Sequence, residues 1–266
     1  MLRIKWLIIL LSIVLMIVAC NPPAGQEVKM PTNPGDTWDI VVIGDSSLWG
    51  AAEALSKQIN SDLGVEVRVH DFTLGGLSAG SVRDILKTGK SERLALKDLT
   101  DALQEAEFVL MFVNPVDSQV SGSPIELDAC FDAMKPGNCE LDRFSVYVTD
   151  LEYIWGRIIE LRAGQPTILR ATDLYNPLVN YWQKSGVFED CTMCWSNLSA
   201  AARQAAEAVG VPFLSRFDAY NGLTHEEDPR EKGLISEDGE HPSELAGEYT
   251  AKLLSEMGYE ATVPTR

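Results

Sequence analysis

Two short segments carry residue types that can do chemistry together. Gly44-Asp45-Ser46-Ser47-Leu48-Trp49-Gly50 directly follows the β-branched run Ile40-Val41-Val42-Ile43 and leads into a helical pattern. A serine at such a junction sits where the first amides of a helix converge and favour developing negative charge. Near the other end, Asp238-Gly239-Glu240-His241-Pro242-Ser243 precedes the last helical pattern. An aspartate three residues before a histidine reaches its Nδ1, which fixes the tautomer and leaves Nε2 free to take a proton from a serine. The chain has only three histidines, His70, His225 and His241, so imidazole chemistry has few candidates. Taken singly, each segment also has a plain reading. The first is a tight turn with a helix cap, the second a solvated loop ending in an N-cap.

The elements that must position these residues follow from the apolar pattern. Ile40–Ile43 and Phe108–Val113 are uninterrupted apolar runs, as strands buried on both faces require. Val65–Val69 alternates and reads as a strand nearer a sheet edge, Thr167–Thr172 as a fourth strand and Val211–Leu214 as a short fifth. Helical spacing marks Leu48–Leu63, Ser81–Lys87, Leu96–Ala106, Val146–Ala163, Ser199–Val209 and Ser243–Met257. Strands alternating with helices imply right-handed crossovers and a parallel sheet covered on both sides. The expected fold is a three-layer α/β/α sandwich with a parallel five-stranded sheet, its ligands at the carboxyl ends of the strands.

Taken together, the two segments give the sequence a resemblance to the SGNH, or GDSL, serine hydrolases, which have this flavodoxin-like arrangement. The first family block, Gly-Asp-Ser, matches Gly44-Asp45-Ser46, and the last, Asp-x-x-His followed by Pro, matches Asp238 to Pro242. The second block is a glycine after the second strand, with a small hydroxyl residue two positions on. Gly76 with Ser78 fits it, and Gly75 is the neighbouring alternative. Asn114 stands straight after the third expected strand, where the third block carries its asparagine. That block departs from the family's Gly-x-Asn-Asp, reading Phe112-Val113-Asn114-Pro115 here. The departure puts a bulky ring beside the expected oxyanion site and removes a carboxylate and a backbone N–H. The resemblance implies an ester hydrolase in which Ser46 is the nucleophile, His241 the general base and then acid, and Asp238 its orienting partner. It also implies an oxyanion site formed by the amides of Ser46 and Gly76 and the side chain of Asn114, with no metal or organic cofactor. The substrate class expected is a small acyl ester or an acylated carbohydrate. A fold retained for binding without turnover, and an acyltransferase using the same triad, are the competing readings.

The N-terminus points to export. Arg3 and Lys5 precede an apolar run from Trp6 to Ala19 broken only by Ser12. Its length suits a secretory signal better than a spanning helix. The ending Ile17-Val18-Ala19-Cys20 resembles the lipobox of bacterial lipoproteins, which implies cleavage before Cys20 and lipid on its thiol, and so attachment to the cell-envelope membrane. An uncleaved anchor is the alternative. Residues 20–36, rich in Pro and Gly, read as a tether, with one folded domain over 37–266. Inserted irregular segments are expected near 115–142 and 176–195. Four cysteines remain, and local disulfides Cys130–Cys139 and Cys191–Cys194 are the leading expectation, ahead of a zinc site or a redox pair.

The formal net charge of −17 argues against nucleic acid as a partner, because a phosphate backbone needs a basic surface. The same acidity disfavours adsorption to anionic lipid and tilts the substrate expectation from phospholipid towards carbohydrate ester. His70 reads as structural. His225, beside Glu226, Glu227 and Asp228, reads as a solvated loop residue, with a cation site the weaker alternative. Tyr175, Tyr181, Trp182 and Trp195 either line a binding wall or pack a loop. Asn197-Leu198-Ser199 matches a glycosylation sequon but reads as a helix cap.

Overall fold

The computed structural model describes residues 27–30, 36–115, 129–130 and 139–263. The lipobox and Cys20 lie outside them. Among the described residues no helix is long and apolar enough to cross a membrane.

The chain begins with β1 (Glu27–Lys29), β2 (Thr37–Gly44), a 3-10 turn at Ser46–Leu48 and α1 (Ala51–Leu63). Then come β3 (Glu66–Thr73), α2 (Ala79–Thr88), α3 (Leu99–Glu105) and β4 (Phe108–Phe112). The second half runs α4 (Ser145–Leu161), β5 (Ile168–Thr172), α5 (Val179–Ser185), α6 (Phe188–Ala208) and β6 (Phe213–Leu214). It closes with α7 (Arg216–Asn221), α8 (Glu244–Glu256) and β7 (Glu260–Thr262). Five strands form one parallel sheet in the order β3-β2-β4-β5-β6. Ile40 to Ile43 and Phe108 to Leu110 are fully buried, which is why these stretches carry no polar residue. Helices α1 and α8 pack together on one side, and α2, α4 and α6 on the other. The expected three-layer sandwich is the observed one.

From β2 the chain winds outward to β3 and then returns across β2 to β4. The order reverses there, so the crevice at the carboxyl ends of β2 and β4 is the topological switch point, the usual ligand position in such sheets. Two glycines let the backbones close around it. A Cβ on Gly44, the last residue of β2, would lie 2.9 Å from the Phe112 carbonyl oxygen. A Cβ on Gly247 in α8 would lie 2.9 Å from the carbonyl oxygen of Gly50, just before α1. The second contact brings the start of α8, and the His241 loop before it, against the end of the Ser46 turn.

Three sequence expectations need correction. The proposed tether over 20–36 is in part structured: β1 pairs antiparallel with β7, Val28 opposite Ala261, and Met30 is buried. The segment 176–195, expected to be irregular, is largely α5 and the first turns of α6, a helix of 21 residues that begins well before Ser199. Asn197 is therefore inside a helix and not a cap. Its side chain donates to the Cys139 carbonyl at 2.8 Å. The local disulfides are replaced by long-range ones, Cys130–Cys191 and Cys139–Cys194, with Cα–Cα distances of 5.6 and 5.2 Å. The physical reason is the helix. At spacing i, i+3, Cys191 and Cys194 lie on one face of α6, both fully buried, and present their thiols to the segment carrying Cys130 and Cys139.

Peptide mapping under non-reducing conditions is expected to link the Cys130 and Cys191 peptides, and those of Cys139 and Cys194. With its cysteines 61 positions apart in the chain, loss of the first bridge by the double Cys→Ser variant should cost about 4 kcal/mol in denaturant unfolding. Gly247→Leu is expected to cost about 1–3 kcal/mol by overpacking the α1–α8 contact, read as a lower denaturant midpoint.

Candidate active site

The Ser46 turn is fixed by its own backbone and by Asp45. The Asp45 carboxylate accepts from the Ser47 amide at 2.9 Å, and its carbonyl accepts from the Leu48 amide at 3.1 Å. The carboxylate lies 3.4 Å from Nδ2 of Asn114, which links the turn after β2 to the loop after β4. Burial pushes the Asp45 carboxyl above its ordinary range, opposed by the Ser47 hydrogen bonds, the charge of Arg216 and the Asn114 amide. Ser46 itself is half-buried, at the start of the 3-10 turn.

The loops after β3 and β4 are zipped together. The Asn114 amide donates to the Leu77 carbonyl at 3.2 Å, and the Ala79 amide to the Asn114 carbonyl at 2.9 Å. Gly76 has φ 69°, a left-handed conformation that suits glycine and lets the chain turn from β3 towards Asn114. Tyr147 on α4, fully buried, donates its hydroxyl to the Val113 carbonyl at 2.7 Å and steadies the same loop from below. Phe112 does not stand open beside Asn114, where the sequence reading expects a bulky ring at an oxyanion site. Its ring is 2% exposed, with the Arg216 guanidinium 5.7 Å from its centre.

His241 sits in a loop tied down on several sides. The Ser236 amide donates to the His241 carbonyl at 2.9 Å, the Ser243 amide to the Leu234 carbonyl at 3.0 Å, and the Tyr175 hydroxyl to the Glu240 carbonyl at 3.1 Å. Arg230 donates to the Gly239 carbonyl. His241 Nδ1 is 2.8 Å from Asp238 Oδ2. The Asp238 carboxylate also accepts from the amides of Glu240 at 2.8 Å and His241 at 3.0 Å and from the Ser236 hydroxyl at 2.8 Å. The Glu240 amide foremost, then the His241 amide, the imidazole and the hydroxyl hold its carboxyl well below the usual carboxylate range. An ionised, anchored partner at Nδ1 fixes the tautomer that leaves Nε2 available.

Trp49 joins the two halves. It lies three residues beyond Ser46, and its indole stacks on the His241 ring at 4.7 Å with an interplanar angle of 22°. A Cβ on Gly75 would be 3.8 Å from the Trp49 ring, so the glycine loop after β3 borders the same aromatic. The sequence-expected residues Asp45, Ser46, Gly75, Gly76, Asn114, Asp238 and His241 thus gather at the carboxyl ends of β2, β3 and β4. The arrangement sets a hydroxyl turn, an Asp-His pair and an amide-bearing loop beside one another, joined through Trp49 and the Asp45–Asn114 contact.

Other candidates fall elsewhere. His70 Nε2 lies 2.6 Å from Asp39 Oδ1 within the sheet-edge pair β2–β3. His225 stacks on Phe217 at 3.7 Å and is 2.9 Å from Asp218. Trp182 and Trp195 are buried and pack the α5–α6 region, Tyr175 is buried with its ring stacked on Tyr220 at 5.0 Å, and Tyr181 is half-exposed under the Arg230 guanidinium at 4.6 Å. Among the described residues the four cysteines are all in disulfides, which removes the zinc and redox alternatives for them. Sequence reading missed Asp173 and Arg216, both fully buried behind the Ser46 turn. A charged residue next to the short apolar strand at Phe213–Leu214 was the available signal.

No family model matches the chain, and no curated protein does. Solved structures share the fold. One is the lipase Lip_vut3 from a goat rumen metagenome, superposing with TM-score 0.59 at 17% identity over 84% of this chain and 98% of that one. Another is a DUF4886 family protein from Bacteroides uniformis, with TM-score 0.51 at 14% identity over 83% and 82% of the two chains.

Because the folded state depresses the Asp238 carboxyl, its contribution to stability is present above the unfolded value near pH 4 and is lost as pH falls through the lower folded value. The side chain is half-exposed, so solvent screens the effect and keeps it small. The stability difference between wild type and Asp238→Asn is expected to shrink as pH falls below about 4, measured by denaturant unfolding across pH.

Proposed function

We propose that the protein is a serine ester hydrolase of the SGNH type, carried on the cell-envelope membrane by lipid at Cys20. The observation that carries the reading is the Asp238–His241 pair, 2.8 Å apart, stacked through its imidazole on Trp49 of the Ser46 turn. The fold likeness to a lipase supports the same reaction class.

In this reading Ser46 Oγ attacks the ester carbonyl carbon while His241 Nε2 takes the hydroxyl proton. The charge on the carbonyl oxygen is met by the amides of Ser46 and Gly76 and the side-chain amide of Asn114. Donors placed where charge appears only in the transition state are worth on the order of 3 kcal/mol each. The carbon–oxygen bond to the alcohol then breaks, and the imidazolium returns its proton to the leaving oxygen. Water attacks the acyl-enzyme with His241 again taking a proton, which releases the acid and restores Ser46. Asp238 stays ionised throughout and stabilises the imidazolium. The substrate class proposed is a small acyl ester or an acylated carbohydrate, in keeping with the acidic chain.

The test uses the full chain in detergent with short-chain p-nitrophenyl esters and acetylated sugars. Ser46→Ala should lower kcat by roughly 10⁵–10⁶ and Asp238→Asn by about 10⁴. A fluorophosphonate should label Ser46. Labelling at another residue, or equal rates for wild type and Ser46→Ala, would refute the assignment. Acyl product on a sugar acceptor exceeding free acid would instead favour transfer over hydrolysis. A labelled fatty acid should be incorporated into wild type and not into Cys20→Ser, and no incorporation into wild type would count against the lipid anchor.

A further inference from the structure

The Ser46 turn rests on a buried cation. Arg216, the first residue of α7, is 1% exposed. Its Nη1 donates to the Ser47 carbonyl at 2.6 Å and its Nη2 lies 3.1 Å from Ser47 Oγ. On the other edge, Nε and Nη2 donate to the Asp173 carbonyl at 2.9 and 2.5 Å. The rings of Phe112 and Tyr175 border the guanidinium, 5.7 and 5.6 Å from its carbon. Among the described residues no carboxylate lies within ion-pair distance of it. The Asp173 carboxylate is used otherwise. It accepts from the Arg216 amide at 2.6 Å, the Phe217 amide at 3.0 Å and the hydroxyls of Ser199 and Ser215 at 2.5 and 2.8 Å.

The charges of Asp45 and Asp173 act on the guanidinium from beyond ion-pair distance, and burying a cation without a directly paired carboxylate is costly where an apolar side chain could fill the site. What the guanidinium does that an apolar group or a lysine cannot is grip two loops at once. Its planar donors on two edges match two carbonyl oxygens in fixed directions. Within the 3-10 turn, the Asp45 and Ser46 carbonyls already accept from the Leu48 and Trp49 amides. The Ser47 carbonyl takes the guanidinium, and Asp173, at the end of β5, supplies the fixed point behind it.

We propose that Arg216 is a positioning residue for the nucleophile: it sets the height and pitch of the Ser46 turn through Ser47, against the β5 end at Asp173. The inference rests on Ser46 being the nucleophile. A misplacement of about 1 Å at a reacting group costs on the order of 100-fold in rate. A role confined to stability would lower the amount of folded protein and leave each folded site as fast as before.

The experiment counts sites before it measures rates. Full-chain wild type, Arg216→Lys and Arg216→Met are titrated with a fluorophosphonate, and kcat and KM for a p-nitrophenyl ester are expressed per titratable site. Arg216→Met is expected to lower kcat per site about 100-fold, with KM within about twofold, and to slow phosphonylation of Ser46 by a similar factor. Arg216→Lys should recover part of the loss, because it restores the charge but not the two-edged geometry. An unchanged kcat per site in Arg216→Met, with only the melting temperature lowered, overturns the proposal. If Arg216→Met does not fold, Ser47→Ala decides. It removes one of the two contacts to the turn and should lower kcat per site about threefold to tenfold at a nearly unchanged melting temperature. No change per site there overturns the proposal as well. Absence of both turnover and Ser46 labelling in wild type would instead overturn the hydrolase reading, and this inference with it.

Discussion

A parallel sheet sealed on both faces gives its polar side chains one natural place to meet, the carboxyl ends of the strands, and each must find a partner there. Asp173 shows how demanding that is. Fully buried at the end of β5, it accepts from two hydroxyls and two amides and still has its carboxyl pushed upward by burial. Its carbonyl then holds Arg216, which holds Ser47. The hydroxyl turn after β2 is therefore supported by a chain of hydrogen bonds that begins two strands away.

The histidine half is built on different physics. Its loop is exposed, and Asp238 gathers amides and a hydroxyl within a few residues of itself. Local bonds of this kind survive in water because the charged acceptor makes them strong. What joins this self-contained loop to the buried turn is packing. Gly247 lets α8 close on Gly50, and Trp49 covers the imidazole. The site thus combines a rigid base with a locally stiff lid of chain, and aromatic contact fixes their relation.

The strands and most helices were legible because burial on both faces leaves a plain mark in composition, as in Ile40–Ile43 and Phe108–Val113. The segment 176–195 was misread for the converse reason. Its Cys, Trp and Tyr content suggested a stapled loop, yet Trp182, Cys191, Cys194 and Trp195 lie on the inward faces of α5 and α6, and Tyr181 alone of these stays exposed. The local disulfides failed on the same point, since a helix sends Cys191 and Cys194 to one side together and the partners come from 55 and 61 residues away. Nearness along the chain says little about which thiols meet once both lie on one helical face.

The sequence by itself determined the sheet's class, the turn bearing Ser46 and the pairing of Asp238 with His241, because each of these depends on neighbours within a few residues. Only the tertiary structure decided the disulfide partners, the burial of Phe112, the stacking of Trp49 on His241 and the support of Ser47 by Arg216. Those depend on which surfaces are pressed together across the strand ends. Arg216 and Ser47 are separated by 169 residues, and no local pattern of polarity or spacing encodes a contact of that range.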